Sequence, residues 1–385
     1  MQGSAERILT THTGSLVRPD DLAALLVARD RGQPYDAQTL ESRAREAVAA
    51  IVARQAAAGV DVVNDGEQSK LAYATYVKDR LTGFGPSTRA PEPTRPPRDL
   101  VEYPGYDRGG GSQGRATAVK PSCIGPVTYQ GRAELERDIS NLQAALADAT
   151  VSGAFMTAAS PGLIVRYLPN EHYPSDDAYL AAVADAMREE YAAIVGAGLV
   201  LQLDCPDLGS EGSWFPSVAE FRKYVASHVE AINHAVADLP PERLRLHVCW
   251  GNYEGPHTHD VPLADIVDLL LQARPAGLVL EAANPRHAHE WHVWEDVKLP
   301  DDKFLVTGVL DTTTNFVEHP DLVADRLIRY ASLVGRERVM AGSDCGFATW
   351  VGGTERVDPR IAWAKLEAMA EGARRATRAL WHDGR

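Results

Sequence analysis

The feature that most constrains this chain is a rhythm. A short apolar segment, a polar tip and an amphipathic helix recur along it. The segments Ile8–Ser15, Val60–Gly66, Gly153–Ser160, Leu199–Asp204, Leu244–Cys249, Gly277–Glu281, Phe304–Leu310 and Arg338–Asp344 are predicted strands, eight in all. LVLQLD and GLVLE are near-continuous apolar runs, as strands buried on both faces require, and that favours a parallel sheet. Between strands, Asp36–Ala58 carries Leu40, Ala44, Val48, Ile51 and Gln55 at helical spacing, with Gly59 as its stop. Ser175 caps a second predicted helix, whose buried stripe is Leu180, Val183, Met187, Tyr191 and Ile194. A late helix over Pro359–Leu380 closes the pattern. Eight strands alternating with helices predict a TIM (β/α)8 barrel. An open doubly wound sheet would place a glycine-rich turn after its first strand, and His12-Thr13-Gly14-Ser15 is not that turn.

Residues 83–114 break the rhythm. Their Pro and Gly density forbids a long helix or a central strand. They are expected to form an insertion after the second strand, either a surface loop or a lid. Residues 1–385 otherwise read as one catalytic domain. Gly109, Gly111 and Gly114 spell G-x-G-x-x-G, but no strand precedes them, so they do not read as a dinucleotide site.

Composition narrows the function. A net charge of −14 argues against a nucleic-acid partner. No apolar run reaches the roughly 18 residues of a membrane span. The first residues lack the pattern of a secretory leader, so a cytoplasmic location is expected. Four cysteines, Cys123, Cys205, Cys249 and Cys345, are sparse and read as thiols rather than disulfides.

Two of those cysteines suggest chemistry. His247 and Cys249 alternate on one strand, so both side chains point to one face. Glu281 and Cys345 close two other strands, and strand C-termini converge on one face of a barrel. One imidazole, two thiols and a carboxylate make a tetrahedral zinc shell, and the sulfur donors favour zinc over magnesium or calcium. The competing reading is that buried cysteines merely pack. The runs His257-Thr258-His259-Asp260 and His287-Ala288-His289-Glu290-Trp291-His292 read as exposed or supporting histidines. No H-E-x-x-H protease motif occurs.

At these residues the chain resembles the catalytic C-terminal barrel of cobalamin-independent methionine synthase. More narrowly, it looks like the single-barrel relatives, which include the epoxyalkane:coenzyme M transferases. The motifs are THTGSL at 11–16, VDVVNDGE at 60–67, LQLDCP at 201–206 and HVCWGNYEGP at 247–256. LEAANPR at 280–286, GVLD at 308–311 and SDCGF at 343–347 complete them. The resemblance implies a catalytic Zn2+ held by His247, Cys249, Glu281 and Cys345. It implies that Ser15, Glu67 and Asp204 hold the backbone of an amino-acid thiol, homocysteine. It places Tyr167 where the family stacks its folate donor.

A free thiol has a pKa of about 8.5, so coordination to zinc is what makes a usable thiolate at neutral pH. Glu281 is expected to loosen as the substrate sulfur enters. Three departures bear on the substrates. The family's second barrel is absent, which weakens the case for a polyglutamylated folate. Cys205 stands in the family's DEP motif. The family's acid histidine is replaced around Asp311-Thr312-Thr313, leaving no group to protonate a poor leaving amine. Arg18 and Arg166 are candidate anion partners. The resulting expectation is a zinc-dependent thiol S-alkyltransferase acting on a small-molecule thiol and a methyl or alkyl donor, with methyl transfer to homocysteine first. The alternatives are opening of an epoxide by coenzyme M, a metal-free uroporphyrinogen-type decarboxylase, and a zinc-stabilised binding protein without turnover. The sequence leaves the oligomeric state open.

Overall fold

Eight parallel strands pair side by side in the computed structural model, which describes residues 5–87, 89, 98–103, 120–351 and 357–382. They are β1 (Leu9–Thr10), β2 (Val62–Val63), β3 (Gly153–Ala159), β4 (Val200–Asp204), β5 (Leu244–Val248), β6 (Gly277–Leu280), β7 (Phe304–Leu310) and β8 (Val339–Ser343). Each pairs with its sequence neighbour from β2 to β8, and β8 returns to β1. The Asp61 N–H donates to the Thr10 carbonyl at 3.1 Å, and the Thr11 hydroxyl donates to the Val62 carbonyl at 2.9 Å. These bonds close the ring between β1 and β2, so the predicted TIM barrel is the fold.

The strand pleat divides the core. On β5, Leu244, Leu246 and Val248 pack outward with the helices. Arg245 and His247 face the barrel interior, as period-two alternation requires. The interior holds Val62, Phe155, Val200, Val279, Val306 and Met340, contributed by six strands. The Arg245 guanidinium lies 3.6 Å from the centre of the Phe155 ring, which places a buried cation just below the mouth.

The helices form where expected, for local reasons. In α1 (Ala37–Ala57), the Asp36 carboxylate accepts from the Thr39 N–H at 2.7 Å. Gly59 follows at φ +85°, a conformation glycine adopts without strain. In α2 (Asp176–Gly196), the Ser175 hydroxyl accepts from the Ala178 N–H at 3.2 Å, with Asp176 and Asp177 in the first turn. Helix α3 (Pro359–Thr377) ends three residues before its predicted limit and runs into a wider turn over Arg378–His382.

The first two strands are shorter than predicted. After Thr10 and Val63 the chain leaves the ladder to build the mouth. Asn64 accepts the Gly66 N–H at 2.9 Å, and Gly66 and Glu67 both have positive φ, +63° and +57°. That turn aims Glu67 across the barrel. The insertion does leave from the β2–β3 connection. Phe84–Gly85 pairs antiparallel with Ser122–Cys123. Asp99 of the short helix Arg98–Glu102 accepts the Thr258 hydroxyl at 2.8 Å and the Tyr253 hydroxyl at 3.2 Å. This part of the insertion therefore crosses to the loop after β5. Gly109, Gly111 and Gly114 lie outside the described residues. All four cysteines are free, and among the described residues no helix is long and apolar enough to cross a membrane.

Helix capping gives a direct check on this local reading. Ser175→Ala should lower unfolding stability by about 1 kcal/mol in chemical denaturation. Metal content at the barrel mouth should be unchanged, because the cap is remote from it.

Candidate metal centre and substrate cleft

Six strands deliver the predicted site residues to the C-terminal end of the barrel. Ser15, Glu67, Asp204, Cys249, Glu281 and Cys345 sit at or just beyond the ends of β1, β2, β4, β5, β6 and β8, with His247 inside β5. All seven are buried. One ligand atom from each of His247, Cys249 and Cys345 lies within 4.8 Å of the others, which makes this a possible metal site. Cys345 Sγ is 3.9 Å from His247 Nε2 and 3.8 Å from Glu281 Oε1. Donors around one tetrahedral zinc would stand about 3.6 Å apart, given normal Zn–S and Zn–N lengths. The donor spacing and chemistry therefore fit zinc.

The ring of His247 is held in one orientation. Its Nδ1 lies 3.1 Å from Asp204 Oδ1, and the two residues are register partners on β5 and β4. An N–H on Nδ1 donating to that carboxylate leaves Nε2 to face the sulfurs. Burial opposes a charged ring, but the Asp204 bond and the neighbouring Cys249 thiolate outweigh it and raise the His247 pKa. The two thiols differ. A hydrogen bond from Cys345, working against burial and helped by His247, lowers the Cys249 pKa to about 6. The same bond, with burial, pushes Cys345 well above the ordinary thiol value.

Glu281 stands beside this trio rather than within it. Its Oε1 accepts the Trp250 N–H at 2.8 Å, and its Oε2 accepts from Asn284 Nδ2 at 2.7 Å. Burial pushes its pKa well above the carboxylate range. Asp344 shapes the loop that carries Glu281. Its carboxylate takes the backbone N–H groups of Ala282, Ala283 and Asn284 at 2.8–2.9 Å. Burial nevertheless raises the Asp344 pKa to about 6.

The cleft above the trio encloses about 970 Å³, open solvent at its mouth included. Ser15, Glu67, Asp204, His247, Cys249 and Cys345 all line it. Two atoms here are buried without a hydrogen-bond partner: Ser15 Oγ and Glu67 Oε2. The nearest cation, Arg18, is 3.5 Å from that Glu67 oxygen. Buried polar atoms are normally paired, so two together in a cleft mark a place for a polar ligand. Burial raises the Glu67 pKa, with Lys70 and Arg18 opposing it.

Tyr167 is not among the residues that line the cleft. Its ring packs against Tyr73 and Trp350, which do, at centroid distances of 6.4 and 5.8 Å. Arg18 is spent on carbonyl groups of Leu16, Glu67, Lys70 and Ala348. Arg166 does line the cleft, paired with Glu211 at 2.5 Å. Sequence reasoning missed the Asp204–His247 pair, the Asp344 clamp and the Tyr73–Trp350 wall. The first needed the β4–β5 register. The second lay in view beside Cys345.

No family model matches the chain. It is 24% identical over 371 residues to methionine synthase of Saccharolobus solfataricus, covering 95% of this chain and 93% of that one. It is 26% identical over 375 residues to 2-hydroxypropyl-CoM lyase of Xanthobacter autotrophicus, covering 89% and 87%. Among solved structures it matches a B12-independent methionine synthase from Shewanella sp. W3-18-1, in complex with selenomethionine, at a TM-score of 0.73 and 19% identity, covering 97% and 99%. Fold and site define a TIM barrel with a His-Cys-Cys donor set at its mouth. The chain is a relative of the cobalamin-independent methionine synthases, the family its motifs resemble, and of the epoxyalkane:coenzyme M transferases.

The Asp204 contact is testable apart from any activity. Asp204→Asn should weaken zinc binding roughly 10–100-fold in a chelator competition, the usual cost of losing an outer partner of a ligand histidine. An unchanged affinity would remove Asp204 from the metal centre.

Proposed function

We propose that this protein is a zinc-dependent thiol S-alkyltransferase that methylates homocysteine or a similar amino-acid thiol. One observation carries the reading. The His247–Cys249–Cys345 cluster opens onto the same cleft as Ser15 Oγ and Glu67 Oε2, two buried atoms without a hydrogen-bond partner. A sulfur-binding centre and a polar head-group site are thus side by side.

His247, Cys249 and Cys345 would hold the zinc, with Glu281 as the fourth ligand. Bound there, zinc supplies a means of keeping a substrate thiol deprotonated yet nucleophilic at neutral pH. The chain's own residues do the rest. Asp204 keeps the His247 ring oriented. Trp250 N–H and Asn284 hold and orient the Glu281 carboxylate beside the cluster. Glu67 faces the substrate ammonium, and the Ser15 hydroxyl donates to its carboxylate. The walls of Tyr73, Trp214 and Trp350 exclude water from the approach of the donor.

The cleft favours an amino-acid thiol over coenzyme M. A sulfonate needs a cation, and among the described lining residues Arg166 is the one guanidinium, already facing Glu211. The donor should carry a good leaving group. At the end of β7, Asp311 accepts from Thr313 and Thr314, and Thr312 donates to Asn252, so β7 itself brings hydroxyls rather than an imidazole acid to this corner.

Cobalt substitution provides a test that needs no knowledge of the donor. Cobalt-loaded protein should show sulfur-to-cobalt charge-transfer absorption, lost in Cys249→Ser and Cys345→Ser. Homocysteine should intensify it, and coenzyme M at equal concentration should not. Glu67→Gln should weaken homocysteine binding about 10-fold or more, the cost of one buried charged hydrogen bond. A spectrum indifferent to every thiol would refute the proposed chemistry.

A further inference from the structure

The two histidine-rich runs take no part in the proposed reaction, yet the structure brings them together. His257 and Asp260 lie in the loop after β5, and His287 lies in the loop after β6. Asp260 Oδ2 is 2.7 Å from His257 Nδ1 and 3.1 Å from His287 Nε2. The outer nitrogen of each ring is already committed. His287 Nδ1 lies 3.1 Å from Glu290 Oε2, and His257 Nε2 lies 3.0 Å from the Tyr253 carbonyl oxygen. Both outer partners are acceptors, so both outer nitrogens must carry hydrogen.

That leaves the inner nitrogens facing one carboxylate oxygen. On neutral rings they would aim two lone pairs at an anion. Positive charge must therefore lie between them. Either each ring carries a second proton, or a single divalent cation takes the place of both protons. The two states carry the same net charge, because Asp260 and Glu290 balance two imidazolium ions or one dication equally well. Glu281 faces both histidines and also favours positive charge, while Arg286 approaches only the His257 carbonyl.

The surroundings have the form of a metal shell. Outer acceptors fix each ring tautomer, as a carboxylate or carbonyl does for ligand histidines. Trp250 stacks on His287 at 4.4 Å and holds that ring in place. His257 sits at φ +51°, a backbone conformation rare outside glycine, at the turn that directs its ring inward. His257 and His287 are buried, yet Asp260 lines the main cleft, and His257 lines a second cavity beside Glu281 and Thr312. An ion here would thus have open faces.

We propose that His257, Asp260 and His287 form a second metal site, distinct from the thiolate centre, that takes a divalent cation of the zinc class in exchange for two protons. Two imidazoles and one carboxylate are borderline donors, which suit zinc, cobalt or iron(II) better than calcium. To reach the roughly 3.4 Å spacing of a tetrahedral N/O site, Asp260 must draw back by about 0.7 Å from the His257 ring and by about 0.3 Å from the His287 ring.

The test is metal stoichiometry on metal-stripped protein titrated with Zn2+ and Co2+. Wild type should bind two equivalents. Cys249→Ser should retain one, without sulfur-to-cobalt absorption. His287→Gln and, independently, His257→Gln should also retain one, with that absorption intact. Zinc uptake by Cys249→Ser should release up to two protons, and its affinity should rise up to about 100-fold per pH unit while both rings are protonated. One equivalent in wild type, unchanged by either histidine variant, would overturn the second site. So would residual binding in Cys249→Ser that survives His257→Gln in the same chain. Loss of the cobalt–sulfur signal in Cys249→Ser reports on the thiolate centre separately, so the two proposals stand or fall apart. Circular dichroism identifies a variant that has failed to fold, and the second histidine variant then decides.

Discussion

The pleat of β5 is the constraint on which the mouth of this barrel depends. It sends Leu244, Leu246 and Val248 to the helices and leaves Arg245 and His247 inside. Because the barrel is closed, the inward row of β5 meets the inward ends of β4, β6 and β8. Asp204 then stands beside His247 in register, and Glu281 and Cys345 come within reach of its ring and of Cys249. A one-residue slip of β5 would turn His247 outward into the apolar helix layer and leave Asp204 without its partner. The chemistry is thus tied to the register of the sheet, not to any one loop.

The electrostatics follow from that crowding. Cys249, Cys345, Glu281, Asp344 and Asp204 are buried in one small region, with His247 among them. Burial disfavours the charged forms of Cys345, Glu281 and Asp344. The fold offsets this locally: three backbone N–H groups face Asp344, one faces Glu281, and the Cys345 thiol faces Cys249. A divalent cation would neutralise the same group of acids at once. This is the physical reason for reading the site as a metal centre rather than as a packed core.

Much of this was legible in the sequence, and for definable reasons. Apolar segments such as LVLQLD and GLVLE identified all eight strands, because parallel strands are buried on both faces. Asp36, Gly59 and Ser175 marked helix ends because capping is local chemistry. His247 and Cys249 followed from alternation, and Cys345 from convergence of strand ends. What depends on register or on three-dimensional turns was not legible. The Asp204–His247 bond needed the β4–β5 pairing. The turn that shortens β2 and aims Glu67 inward needed positive φ at Gly66 and Glu67. The resemblance points to Tyr167 as an aromatic surface; the ring that lines the cleft is Tyr73, against which Tyr167 packs, and that contact leaves no mark in the sequence. The histidine runs read as exposed or supporting residues, with nothing to join one run to the other, because the turn that brings His257 to His287 leaves no periodic trace.

The most direct test of the account is the number of sulfur atoms on the metal. X-ray absorption at the zinc edge, on His287→Gln protein carrying one zinc, isolates the thiolate centre. The account requires two sulfur ligands without substrate and three after homocysteine is added, with one lighter ligand lost as Glu281 gives way. A zinc bound by nitrogen and oxygen alone, or a sulfur count that homocysteine leaves unchanged, would contradict it.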